Sequence, residues 1–243
     1  LGEETKGMMR ITRFAVISSA FLLLSGCDDS SHIAPVIDAW YQPHAASHFY
    51  VVRGSDTIYS IAFAFGLDYR DLVAVNQLSP PYVLRSGQRL IMTHRPSQPA
   101  PTHFTARTPV QQLIVRNRSV VFNDQWHWPV RGRIIRGFTR SQSGQPGISI
   151  AGQLGEPIRA ASSGIVVYSG DGVRGYGNLI IIKHNDSYLS AYAFNQVNLV
   201  NVGDQVRSGQ VIARMGQNDA GRTLLYFEIR RNGMPVDPLS FLK

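Results

Sequence analysis

Cysteine is almost absent from the chain. Among 243 residues only Cys27 carries a thiol, so neither an internal disulfide nor a cysteine-rich zinc site is available. Charge is sparse as well. The chain has 24 basic against 16 acidic residues, a formal net charge of +8, yet only 16% of its residues are charged, which excludes a solvating tail of like charges. No basic cluster interleaves with aromatics, which argues against a nucleic-acid partner. The mild basicity suits anionic lipid or a polyanionic wall surface instead. No heptad pattern and no tandem repeat occur, so a coiled coil and a solenoid are both excluded. The longest apolar run, residues 14–24, is too short to cross a bilayer as a helix.

That short run has a different use. Residues 8–27 read MMRITRFAVISSAFLLLSGC: Arg10 and Arg13 form a basic head, an apolar stretch follows, and the lone thiol closes it. The pattern is that of a signal peptide. Its end, Leu24-Ser25-Gly26-Cys27, resembles the lipobox of bacterial lipoproteins. The resemblance implies cleavage before Cys27, acylation of its thiol (diacylglycerol, palmitate) and a membrane anchor, since two or more acyl chains hold stably where one does not. Asp28 and Asp29 follow; an acidic residue there resembles an inner-membrane retention signal, and the outer membrane is the alternative. Residues 1–7 read as an upstream extension.

Composition divides the remainder. Residues 28–48 lack any period and read as a tether. Residues 49–93 are patterned. Residues 94–124 hold Pro96, Pro99, Pro101 and Pro109 among Ser, Thr and Gln and form a linker. From 125 to 243, Val/Ile-rich runs alternate with Gly-rich turns, the mark of an all-β domain. The fold expected is multidomain, a small βααβ unit followed by a mostly antiparallel β domain.

In the first block, Phe49 to Arg53 reads as a strand. Ser55 or Asp56 is placed to cap a helix whose Ile58, Ile61, Ala62 and Phe65 recur at helical spacing. Gly66 ends that helix, and Asp68 caps a second one with Leu72, Val73 and Val75 inward. A last strand runs from Gly87 to Ile91. The segments YVVRGSDTIYSIA, NQL and SGQRLI carry a resemblance to the LysM domain, a binder of N-acetylglucosamine glycans, chiefly peptidoglycan. The resemblance implies a glycan groove with Gly54, Ser55, Asp56, Thr57 and Ile58 on one lip and Asn76, Gln77, Leu78, Pro80 and Tyr82 on the other. Taken singly, Asp56 and Asn76 are equally well explained as cap and turn residues.

The second block contains GISIAG, GEPIRAASSGIVVYSG, GYGNLIIIKH, YLSAYAFN, VGDQVRSGQVIARMG and LYFEIRRNGMPVDP. These segments closely resemble the LytM domain of the M23 zinc metallopeptidases. Working members use H-x-G-x-D for two zinc ligands and the second His of H-x-H for a third; the first His of H-x-H and the His of Y-x-H manage charge and protons. Zinc requires imidazole or carboxylate donors and an open position for water. Here the five positions are Gln145, Ser149, Phe194, Leu224 and Tyr226. His127, His184, Asp204, Asp237 and Glu228 stand at no ligand position. The resemblance therefore implies a degenerate domain with no metal, no cofactor and no catalysis, whose apolar groove is free to bind a partner.

A lipobox, a LysM block and a degenerate LytM block together resemble the NlpD-type family of amidase activators, which switch on periplasmic N-acetylmuramoyl-L-alanine amidases in cell-wall remodelling and cell division. The expected function is non-catalytic: peptidoglycan binding plus amidase activation. A peptidoglycan tether without an amidase partner, or a metal-dependent endopeptidase, are the alternatives.

Overall fold

A computed structural model describes residues 49–92, 125–139 and 145–243, all within one compact unit, Asp38–Lys243. Cys27, the tether and the linker lie outside the described residues.

The first block is β1 (Phe49–Val51), α1 (Ile58–Ala64), α2 (Tyr69–Val75) and β2 (Arg89–Ile91), with β1 and β2 paired antiparallel. The helix start falls one residue later than expected. Thr57, not Ser55 or Asp56, caps α1 in a capping box with Ser60, because its extended backbone lets Oγ1 accept the Ser60 N–H at 3.1 Å. Asp56 is occupied elsewhere, accepting from Arg53 N–H and the Tyr50 hydroxyl. Asp68 caps α2 as expected. The expected stripe of Ile58, Ile61 and Ala62 is buried with Val52, Leu67, Tyr69, Leu72 and Leu90 in the block's own small core, and Phe65 packs against it.

The second block is one antiparallel sheet. Its main path is β3 (Ile134–Arg136), β4 (Ile148–Ala151), β11 (Leu224–Arg231), β8 (Tyr188–Asn198), β7 (Asn178–Lys183), β6 (Gly164–Gly170) and β9 (Gln205–Val206). Strand β10 (Val211–Met215) pairs with β5 (Pro157–Arg159) and β8, and β12 (Met234–Val236) pairs with β11. The apolar runs that alternate with Gly-rich turns in the sequence, among them residues 165–168, 179–182 and 224–229, lie inside β6, β7 and β11.

Strand periodicity sorts the side chains into two layers. Ile148, Ile150, Ile180, Ile182, Tyr192, Leu225, Phe227 and Ile229 point to one face and form the main core. Leu179, Ile181, Ala191, Ala193, Leu224 and Tyr226 point to the other. That second layer also holds Phe194, and it is buried because another part of the chain covers it. Phe63 of α1, with Tyr59 and Ala64 partly buried beside it, belongs to this same cluster.

His184 closes the far side of the sheet. It is buried between the Ser163 carbonyl and the Ser190 hydroxyl, each 2.7 Å from a ring nitrogen, with the Trp126 ring packed against it. Burial pushes its pKa down from 6.5 to about 4, only partly opposed by the Ser163 carbonyl. The unfolded chain takes up this proton near pH 6.5 and the folded chain near 4, so stability is lost as pH falls through that window. By pH 4 the loss from this one residue reaches about 3 kcal/mol. Urea midpoints between pH 7 and 4 should fall less steeply for His184→Gln than for the parent; parallel slopes would remove His184 as the cause.

Candidate functional site: a metal-like groove floored by tyrosine and arginine

The antiparallel registers gather four of the five positions singled out by the resemblance, Ser149, Phe194, Leu224 and Tyr226. Tyr226 on β11 lies directly opposite Ser149 on β4 and Ala193 on β8, so Phe194 follows one residue on. The Phe194 and Tyr226 ring centroids are 6.4 Å apart, and Leu224 shares their cluster. Gln145 is brought to the rim, its amide nitrogen donating 2.6 Å to the Gly175 carbonyl. Phe194 takes a φ of +62°, a region phenylalanine rarely adopts, held by its own N–H to the Tyr176 carbonyl and by Gly216 N–H to its carbonyl. Strained backbone of this kind collects at functional sites.

Tyr226 is fully buried and is the hub. Its hydroxyl accepts from the Gly147 N–H at 2.8 Å and donates to the Glu228 carboxylate at 2.6 Å. Burial first, then the Glu228 charge, raises its pKa well above 10, so it stays a neutral donor. Glu228 in turn pairs with Arg230 at 2.6 Å, both essentially without solvent exposure. Leu224, Tyr226, Glu228 and Arg230 are alternate residues of β11, so all four face the groove. Glu228, which stands at no ligand position, is the buried counter-ion of that row.

Arg136 is a residue that sequence reasoning missed. Its guanidinium lies 5.5 Å from the Tyr226 ring centroid, with Nε 3.3 Å from the Ser149 hydroxyl and Nη1 donating to the Gln145 carbonyl. A cation therefore occupies the neighbourhood of the Gln145, Ser149 and Tyr226 positions. Neutral amide, hydroxyl and phenol groups beside a guanidinium do not suit a zinc ion, which needs imidazole, thiolate or carboxylate donors. Among the described residues no three His, Cys, Asp or Glu side chains converge on one point. His127 is exposed, Asp204 accepts from Asn201 N–H in a turn, and Asp237 caps a single 3-10 turn.

Two family models match the chain, LysM over residues 50–93 and peptidase family M23 over residues 143–238. A lipoprotein NlpD/LppB homologue of Pseudomonas aeruginosa is 42% identical over 79% of this chain and 76% of its own. The chain belongs to the NlpD/LppB family of lipoproteins. Among its relatives in this family, the lipoprotein YgeR of Escherichia coli is 37% identical over 93% of this chain and 91% of its own. The murein hydrolase activator NlpD of Escherichia coli is 35% identical, over 79% and 67% respectively.

In this NlpD/LppB-type chain the ten residues expected to line the glycan groove divide by role. Gly54 and Ser55 form an exposed turn, and Gln77 and Pro80 are exposed on the other lip. Leu78 and Tyr82 pack on the block's core, and the Tyr82 ring reaches across to Tyr59 of α1, 6.4 Å between centroids. Thr57 and Ile58 are spent on the cap and the core. Asn76 is wholly structural in its bonding: its amide donates to the Leu72 and Ile91 carbonyls and its oxygen accepts from Ile91 N–H, tying α2 to β2.

Proposed function

We propose that this chain is a non-catalytic envelope lipoprotein, anchored through Cys27, that holds peptidoglycan with its LysM block and switches on a periplasmic N-acetylmuramoyl-L-alanine amidase with the degenerate M23 groove. The observation that carries the reading is the groove itself. Where the resemblance would put zinc ligands, it gathers Tyr226, Phe194, Leu224 and the Arg136 guanidinium, which suit an apolar segment with polar ends rather than a metal. The relatives named as murein hydrolase activators support the same direction. Activation requires only that the groove bind the amidase's open state better than its closed one. Glycan binding by the exposed lip residues Gly54, Ser55, Gln77 and Pro80 would raise the activator's concentration at the wall. The acidic Asp28 after Cys27 supports retention in the inner membrane, with the outer membrane as the alternative; recovery of the lipoprotein solely from outer-membrane fractions would decide for the latter.

The test is dye release from purified sacculi by the chain from Asp28 onward, alone and with each periplasmic amidase. Release only in the mixture is the expected result. Release by the chain alone, blocked by a chelator, would make it an endopeptidase. Sacculus binding with no release in any mixture would leave a tether. Tyr176 lies over Tyr226 at 5.6 Å between centroids and is less built into the sheet than Tyr226. Tyr176→Asp should lower activation at least about tenfold while sacculus binding persists; full activation by a folded Tyr176→Asp chain would move the partner site elsewhere.

A further inference from the structure

The groove is covered by the chain's own helix α1. Phe63 lies off the apolar stripe that α1 turns toward the core of its own block, yet it is only 2% exposed. Its ring meets Tyr176 edge-on at 5.2 Å, and the Arg230 guanidinium stacks on it at 3.9 Å. Arg230 Nη1 also donates 2.9 Å to the Phe63 carbonyl, which accepts the Gly66 N–H at 3.3 Å as well, in the last turn of α1, where a cation is favoured. Two further contacts hold the block down. The Asn232-Gly233 turn between β11 and β12 abuts the start of α2: a Cβ on Gly233 would come within 2.6 Å of the Asp68 nitrogen, and Arg70 donates 3.0 Å to the Asn232 side chain. At the other end Gly172 touches Ser55, where a Cβ would lie 2.8 Å from the serine oxygen.

The closure is imperfect in a way that suits release. Arg136 and Arg230 each keep one buried guanidinium nitrogen, Nη2, without a hydrogen-bond partner. Buried unpaired donors disfavour the closed state. An incoming segment that brings an aromatic side chain together with carboxylate or carbonyl acceptors would satisfy both and outcompete α1.

We propose that α1 of the LysM block is an intramolecular stopper, its Phe63 filling the groove, and that the partner segment enters only when α1 has left. The proposal rests on the reading of the groove as the partner site, and its test separates the two. The chain from Asp28 onward contains no cysteine, so engineered thiols report cleanly. Tyr176→Cys places a thiol under the Phe63 ring. It should react with a maleimide at least about tenfold faster when Phe63→Asp is added, because that change expels the ring but leaves the LysM core intact. Equal rates would overturn the stopper whatever any amidase does. In Ser55→Cys/Gly172→Cys the two Cβ atoms would be 4.0 Å apart, within disulfide range. The oxidised form should capture an amidase at least about tenfold less than the reduced form, and Phe63→Asp should capture more than the parent. Failure of the pair to cross-link, or equal capture in both redox states, would also overturn the stopper. Faster labelling with no amidase captured by any variant would leave the stopper standing and remove the amidase reading.

Discussion

Replacing Arg230 by alanine is expected to cost the folded chain about 3–5 kcal/mol, the largest single-residue loss in the second block. Arg230 is 1% exposed and Glu228 is fully buried, 2.6 Å apart on alternate positions of β11. Truncating the arginine leaves the carboxylate desolvated, with only the Tyr226 hydroxyl still donating to it. It also removes the bond to the Phe63 carbonyl and the stacking on its ring, so the two blocks loosen together. The comparison that isolates the charge is Glu228→Leu/Arg230→Met, which removes both ions and should be far milder than Arg230→Ala alone. Urea midpoints at pH 7 measure both. A loss below about 1 kcal/mol for Arg230→Ala would mean that Glu228 is hydrated in solution, which requires the groove to stand open and bears directly on the stopper.

Much of this architecture was legible in the residues, for reasons that differ along the chain. The strands of the second block announced themselves because β-branched runs such as Ile180, Ile181 and Ile182 are bounded by glycine turns, and because both faces of the central strands are buried. The stripe of α1 was legible from the spacing of Ile58, Ile61 and Ala62. The cap was misplaced by one residue because Ser55, Asp56 and Thr57 are all competent caps; which one wins depends on Tyr50 and Arg53 drawing Asp56 into a turn. The resemblance to zinc metallopeptidases pointed to Gln145, Ser149, Phe194, Leu224 and Tyr226, and the strand registers bring Ser149, Tyr226 and the segment ending in Phe194 side by side. What fills the space they leave was not legible. Arg136 stands in a short strand with no pattern that marks it, and its role comes from β3 pairing with β4 beside Ser149. The docking of the blocks left one signal that passed unused: Phe63 is a phenylalanine outside the helical stripe, on a face that an isolated LysM block would present to water. A large aromatic in such a place asks for a partner.

Rebuilding the ligand set should not restore zinc binding while Arg136 remains. Gln145→His, Ser149→Asp and Tyr226→His would supply two imidazoles and a carboxylate at positions that the registers already bring together. The guanidinium of Arg136 reaches within 3.3 Å of the Ser149 hydroxyl, so a divalent ion bound there would face a full positive charge at roughly 5 Å. At an effective dielectric of about 20 that repulsion is on the order of 6 kcal/mol. Even if the arginine swings toward solvent, adding Arg136→Ala to the rebuilt chain should tighten zinc by about a hundredfold or more. Tyr226→His also removes the hydroxyl bonded to Gly147 and Glu228, so folding must be checked by circular dichroism beside the metal titration. Equal zinc affinity with and without Arg136 would show that the cation is incidental to the groove. A large difference would show that two features keep a divalent ion out of this groove, the neutral side chains at Gln145, Ser149 and Tyr226 and the Arg136 cation set beside them.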